Sequence, residues 1–286
     1  MQKLWVCGWQ QSFSAVVHID RLALEPMQQV IVTRPEQDAE AWMGQLQLAG
    51  LSARAFPLLT LSNVMTPDDA VKAGKLISQS QAVMFVSANA VRFLAKAMAN
   101  QPTWLEHFKF AGRAWCTGPG TAAALLACGI EAKQIDQPAA NAPQLDSEAL
   151  WQVVHSQVSA GMRVLFVRGT NEAGAIAGRD WLALQLESKK AQVQAIAAYS
   201  RAPARLSPTQ LAQVHQFIEQ GAVWLFSSSA AIQGLMAQCP DADWATAKVV
   251  VTHPRMAHLI ENCGCKHISI ASPGIRSLLA SIKSLA

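Results

Sequence analysis

Tyrosine is almost missing from this chain: Tyr199 stands alone among 286 residues that include nine tryptophans and nine phenylalanines. Aromatic bulk is plentiful without a phenol, so the one phenol asks for a reason. Charge is sparse as well, at 15% of residues against 51% hydrophobic, a globular composition and not a disordered one. No apolar run approaches membrane length, which excludes a spanning helix. There is no lysine block and no dense basic helix, and the net charge is only +4. Nucleic acid is therefore not expected as a partner. A mild basic excess suits a small anionic ligand, or simply a slightly basic enzyme. No CxxC pair occurs among the six cysteines, which stand singly apart from Cys263 and Cys265. Neither a zinc ribbon nor a redox motif is expected, and scattered free thiols fit the cytoplasm. His253 and His258 lie on different faces of a helix, so no metal pair is expected there.

The opening stretch lacks both a signal-peptide core and the periodic pattern that follows it. Residues 1–29 are expected to be an extension outside the fold, with Met27 nearer the functional start. What remains is long enough for two domains.

The rest of the chain says most things twice. "VMFVSANAV" from Val83 matches "VWLFSSSAA" from Val223, each a buried-strand run that meets serine before a helix-period segment. "TGPGTAAALLACG" from Thr117 matches "THPRMAHLIENCG" from Thr252, with Thr, Pro, Ala, Cys and Gly in one register. "VIVTRP" ending at Pro35 matches "VLFVRG" ending at Gly169, and each run terminates in arginine. The three units recur in order, about 135–140 residues apart, a whole-domain separation. Strands alternating with helices imply parallel sheets covered by helices, which bind ligands beyond the carboxyl ends of the strands. Arg34, Ser87, Thr121, Arg168, Ser227 and Thr252 fall at those ends. "ARAFPLLTLSNV" and "VQAIAAYSRAP" read as paired crossing strands, the second carrying Tyr199. Periodicity leaves open whether the halves are tandem or the chain crosses to a second domain and returns.

The motifs admit more than one chemistry. "GPGTAA" from Gly118, with Asp136 downstream, fits a dinucleotide fingerprint, although it arrives late in the fold; it fits a plain helix start equally. Arg34 and Arg168 suit bidentate carboxylate recognition, or else satisfy loop carbonyls. Ser87 and Ser227, backed by Asn89 and Ser229, read as helix caps and not nucleophiles, since neither serine lies in G-x-S-x-G. The Tyr199 phenol, protonated at neutral pH, suits a general acid, or an aromatic plug with one hydrogen bond.

The ordered set "VTRP", "FVSANAV", "TGPGTAAALLACG", "SEAL", "VRG", "AAYSR", "LFSSSAA" and "THPRMAHLIENCGC" resembles the uroporphyrinogen-III synthase family from about Val30 to the C-terminus. The resemblance implies an α/β fold of two similar domains, each a parallel β-sheet flanked by helices, joined by a two-stranded β connection. Residues 30–58 with 202–286 would form one domain, and 59–201, including the linker strands, the other. It implies cyclisation of hydroxymethylbilane, a linear tetrapyrrole polycarboxylate, with loss of water and inversion of ring D through a spiro intermediate. Neither cofactor nor metal is implied, and a monomer is expected. Tyr199 would be the acid; Arg34, Ser87, Asn89, Thr121, Arg168, Gly169, Ser227 and Ser229 would hold substrate. Met256 replaces a commoner threonine and is left out. Two other readings compete: a two-lobed protein that binds an anionic metabolite without chemistry, against which the absent signal segment counts, and an NAD(P)-dependent enzyme.

Overall fold

The structure is a computed structural model that describes residues 28–99, 112–139, 142, 144–175, 181–272 and 274–285. Nearly all of the expected N-terminal extension, Met27 included, lies outside the described residues. Gln29, assigned to that extension, instead opens the first strand.

The chain builds two sheets. The first takes β1 (Gln29–Val32), β2 (Ser52–Ala55), β9 (Val223–Phe226), β10 (Lys248–Val251) and β11 (His267–Ile270), in the order β11-β10-β9-β1-β2. The second takes β3 (Leu59–Asn63), β4 (Ala82–Phe85), β5 (Arg113–Cys116), β6 (Ile135–Asp136), β7 (Arg163–Thr170) and β8 (Gln192–Pro203), in the order β3-β8-β7-β4-β5-β6. Leaving β3 aside, the two orders are the same. The registers agree too: Val30 faces Val223, which faces Lys248, just as Val164 faces Ala82, which faces Arg113. The repeat in the sequence is thus a repeat in space.

Among the described residues all pairings are parallel except one. β3 and β8 run antiparallel, from Leu59 opposite Pro203 to Asn63 opposite Tyr199. They are the two crossing segments, and chain leaving the first sheet must run against chain returning to it. The expected two-stranded connection is therefore this pair, and it is built into the second sheet through β8.

Parallel strands covered on both faces read as continuous apolar runs, and β4 (AVMF) and β9 (VWLF) are buried throughout. Their side chains still alternate between faces. Ile31, Trp224, Phe226, Val249 and Val251 enter one core of the first sheet, while Val30, Val32, Val223, Leu225 and Val250 enter the other. In the second sheet Val83, Phe85, Leu165 and Val167 face one core, and Ala82, Met84, Val164 and Phe166 the opposite one. Trp224 packs edge-on against Phe56, Phe217 and Trp244 at 5.7–5.9 Å. Phe56 belongs to the segment that leaves the first sheet, so this aromatic group anchors the crossing.

Several flanking helices begin where the chain supplies a capping side chain. α1 (Glu36–Leu48) follows Pro35, and α2 (Pro67–Gln79) starts with a Thr66–Asp69 capping box. α3 (Ala88–Met98), α4 (Pro119–Ala127), α5 (Ser147–Val154) and α6 (Trp181–Ser188) complete the cover of the second sheet. α7 (Pro208–Glu219), with a Ser207–Gln210 capping box, α8 (Ser229–Gln238), α9 (Pro254–Glu261) and α10 (Ile275–Lys283) return to the first.

At the end of β8 the helix α8 comes close. A Cβ on Gly234 would lie 2.6 Å from Pro203 Cβ, so only glycine fits. Gly44 in α1 has nothing within 4 Å of its would-be Cβ. Gly234→Ala is expected to lower stability by about 1–3 kcal/mol, and Gly44→Ala to raise it by about 0.5–1 kcal/mol. Denaturant midpoints of the two variants check both signs.

Candidate functional site

Because all strands but β3 run the same way within their sheet, the polar residues that follow them gather along one edge of it. Arg34 lies two residues beyond β1, Ser87 and Asn89 follow β4, Thr121 is in the first turn of α4 after β5, and Ser227 and Ser229 follow β9. Arg168 is an exception. β7 does not end there but continues to Thr170, because β8 pairs with it along its whole length.

That pairing contains the feature that builds the site. Arg168 faces Ala197, but Gly169 faces Tyr199, so the ladder skips Ala198. A bulge of this kind turns two successive side chains to one face, and Ala198 and Tyr199 both enter the same core. The phenol ring lies directly over Gly169, where a Cβ would come within 2.6 Å of Tyr199 Cζ. The ring also stacks on Phe93 of α3, with centroids 5.4 Å apart at 22°. Tyr199 is only 5% exposed, so the hydroxyl needs a partner. It has one in Ser87, whose Oγ lies 3.1 Å from it. Ser87 Oγ also accepts the Ala90 N–H at 3.1 Å and so caps α3. With an amide already donating to it, Ser87 can donate its own O–H to the phenol oxygen. The Tyr199 proton is then available to a third group.

A second group of side chains joins the two sheet units. Asp38, in the first turn of α1, accepts Asn89 Nδ2 at 3.0 Å and Arg92 Nη1 at 2.6 Å. Arg92 also donates to Asn89 Oδ1 at 3.1 Å. The carboxylate thus sits between the N-termini of α1 and α3, where negative charge is favoured. Arg34 lies beside it with its guanidinium 4.4 Å from the Trp42 ring. Burial pulls the Arg34 pKa down, and the charge of Asp38 partly offsets this. Arg34 Nε is buried without a hydrogen-bond acceptor among the described residues. Arg168, at the equivalent place in the second sheet, is buried over the Phe166 ring at 4.6 Å.

Several sequence expectations change here. The cap of α8 is Ser228, which accepts the Ala231 N–H, and not Ser227. The strands β4 and β9 end at Phe85 and Phe226, so Ser87 corresponds to Ser228 and the letter match was one residue out of step. Asn89 is not a cap but part of the bridge to Asp38. Asp136 does not await a ribose: it binds the Arg113 guanidinium and accepts Trp115 Nε1 at 3.0 Å. Thr121 is buried, whereas Ser227 and Ser229 are half-buried. Among the described residues none of the three hydrogen-bonds the Ser87–Tyr199 pair. Met256 packs in the core of the first sheet. Burial pushes the Cys116 thiol, at the end of β5, up to about 11, so it is no thiolate nucleophile. Asp38, Arg92 and Phe93 were missed. No local pattern marks Asp38 and Arg92, because they meet only across the two sheet units.

The arrangement is a two-lobed α/β protein whose two carboxyl edges meet at a bridged cluster of arginine, amide, carboxylate and phenol. Residues 40–280 match the family described as uroporphyrinogen-III synthase HemD, and the chain belongs to that family. Solved structures agree on the fold. A uroporphyrinogen-III synthetase from Helicobacter pylori is similar with a TM-score of 0.58 and 12% identity, over 91% of this chain and 100% of that one. A mutant uroporphyrinogen III synthase from Thermus thermophilus is similar with a TM-score of 0.54 and 14% identity, over 90% of this chain and 98% of that one.

Since Tyr199 is the sole tyrosine, a ring-labelled sample reports this position alone in an NMR spectrum. Gly169→Ala is expected to push the ring aside and shift its resonances, as Ser87→Ala does by removing the hydroxyl contact. Unchanged resonances in Gly169→Ala would show that the close approach does not hold the ring.

Proposed function

We propose that this protein cyclises hydroxymethylbilane to uroporphyrinogen III, with loss of water and inversion of ring D through a spiro intermediate. The observation that carries the reading, beyond family membership, is the phenol of Tyr199 held by Ser87 at the edge where the two lobes meet. In this reading Tyr199 is the general acid that protonates the departing hydroxyl. The donor chain runs from the Ala90 amide to Ser87 Oγ, from the Ser87 hydroxyl to the phenol oxygen, and from the phenol to the leaving group. Donation into the phenol oxygen stabilises the tyrosinate as the proton leaves. The positive end of α3 supports the same direction.

Closure without a template gives the uninverted ring, so the demand on the protein is to hold a flexible polyanion in one conformer. Arg34, Arg168 with Gly169, and the hydroxyls of Ser87, Thr121, Ser227 and Ser229 would contact its carboxylates from both sides. Asn89 and Arg92 join them once Asp38 lets go. In this reading Asp38 holds the place of a substrate carboxylate between the lobes, and the substrate displaces it on binding. The domains are proposed to divide as 30–58 with 202–286 and 59–201, with β3 and β8 as the connection. The protein is proposed to act as a monomer in the cytoplasm, without cofactor.

Freshly generated hydroxymethylbilane supplies the test, with the oxidised products resolved chromatographically. The type III isomer, above the blank rate, is expected; type I alone at the blank rate would end the reading and leave a binding protein. Tyr199→Phe is expected to lower kcat by about 100-fold or more. Full turnover with correct inversion would remove the acid role. Arg92→Ala is expected to raise KM about tenfold, roughly one charged hydrogen bond, with kcat little changed, while Asp38→Ala leaves KM no higher. Steady-state kinetics on the two variants check this.

A further inference from the structure

We propose that His215, Cys239 and Asp241 form a binding site for a zinc-type divalent ion on the outer side of the first lobe. His215 lies in α7, Cys239 is the residue that ends α8, and Asp241 stands in the turn after it. His215 Nε2 is 3.4 Å from Cys239 Sγ and 3.8 Å from Asp241 Oδ2. The three ligand atoms all lie within 4.8 Å of one another. Ligands about 2.0–2.3 Å from a tetrahedral ion stand about 3.3–3.8 Å apart. The two measured separations already have that spacing.

Two commoner uses of such a trio fit less well. In a nucleophile relay the histidine meets the thiol with one ring nitrogen and the orienting acid with the other. Here thiol and carboxylate approach the same nitrogen, Nε2, so the histidine does not stand between them as a relay requires. Three donors converging on one point are what an ion requires. The thiol is also not activated: burial pushes its pKa up, and Asp241 adds to this. A cation at the centre reverses the balance, because it binds the thiolate and turns the repulsion between sulfur and carboxylate into shared coordination.

The donor set names the metal class. One sulfur, one nitrogen and one oxygen suit zinc or cobalt, whereas magnesium and calcium take oxygen alone. Access is graded. Cys239 is 1% exposed, but the His215 and Asp241 side chains are 36% and 78% exposed, so a hydrated ion reaches the carboxylate first and keeps a water in its fourth position. The site would fasten α7 to the end of α8. Gln238, next to Cys239, already accepts the Leu206 N–H and donates to Ala204 O, just ahead of α7. The sequence hides the trio because the histidine is remote from the Cys-Pro-Asp turn and matches no ligand spacing.

The full chain, stripped with a chelator, is titrated with Co²⁺ and then Zn²⁺. One Co²⁺ per chain is expected, with a thiolate-to-cobalt charge-transfer band that Zn²⁺ bleaches, and with a melting temperature raised by either ion. His215→Ala and Asp241→Asn are expected to weaken binding by about 100-fold, and Cys239→Ser to abolish the band. Cys263→Ser, at the exposed thiol, is expected to leave the titration unchanged. Circular dichroism of each metal-free variant verifies folding. If Cys239→Ser does not fold, the variants at the two more exposed ligands still decide the matter. Absence of the band, or unchanged affinity in His215→Ala, would overturn the site.

Discussion

The ladder between β7 and β8 loses step by one residue at Ala198, and the phenol of Tyr199 owes its direction to that slip. In regular pairing Ala198 and Tyr199 would face opposite sides of the sheet. The bulge sends both into one core, over a glycine that alone leaves room, and within reach of a serine that is itself fixed by the helix it caps. Each part depends on the one before. Without the slip there is no ring over Gly169, and without that ring Ser87 has no phenol to meet.

The duplication determines where charge gathers. Two sheets of one order and register bring two sets of strand-end residues to comparable edges, and the two edges touch at Asp38. The bridge at Asp38 follows from this, since it lies between two helix N-termini that each attract an anion. The two arginines show how like positions diverge. Arg34, beyond its strand, stacks on a helix tryptophan, whereas Arg168, inside its strand, stacks on a phenylalanine of the same strand. One is held by a loop and the other by the ladder.

The letters carried the architecture because parallel, doubly covered strands leave dense apolar runs, and here each run occurs twice. They carried the crossing strands, and drew attention to Tyr199 through sheer scarcity. They did not carry the bulge, which leaves no mark in a run such as "AIAAYS". Nor did they settle the cap at Ser228, since three successive serines look alike until the strand end is known. Asp38 and Arg92 escaped because their partners lie 51 and 54 residues away in the other lobe. Charge pairing across lobes has no periodicity to read.

The plan of the sheets also governs how the protein is made. The second sheet is drawn from one unbroken stretch, Leu59 to Pro203, so its strands can associate as soon as that stretch has left the ribosome. The first sheet cannot close so early. β1 must wait for β9, nearly two hundred residues downstream, and until then Val30, Ile31 and Val32 have only β2 beside them. Contacts of such separation form slowly. During synthesis the middle of the molecule is therefore the template, and the two ends of the chain are assembled last.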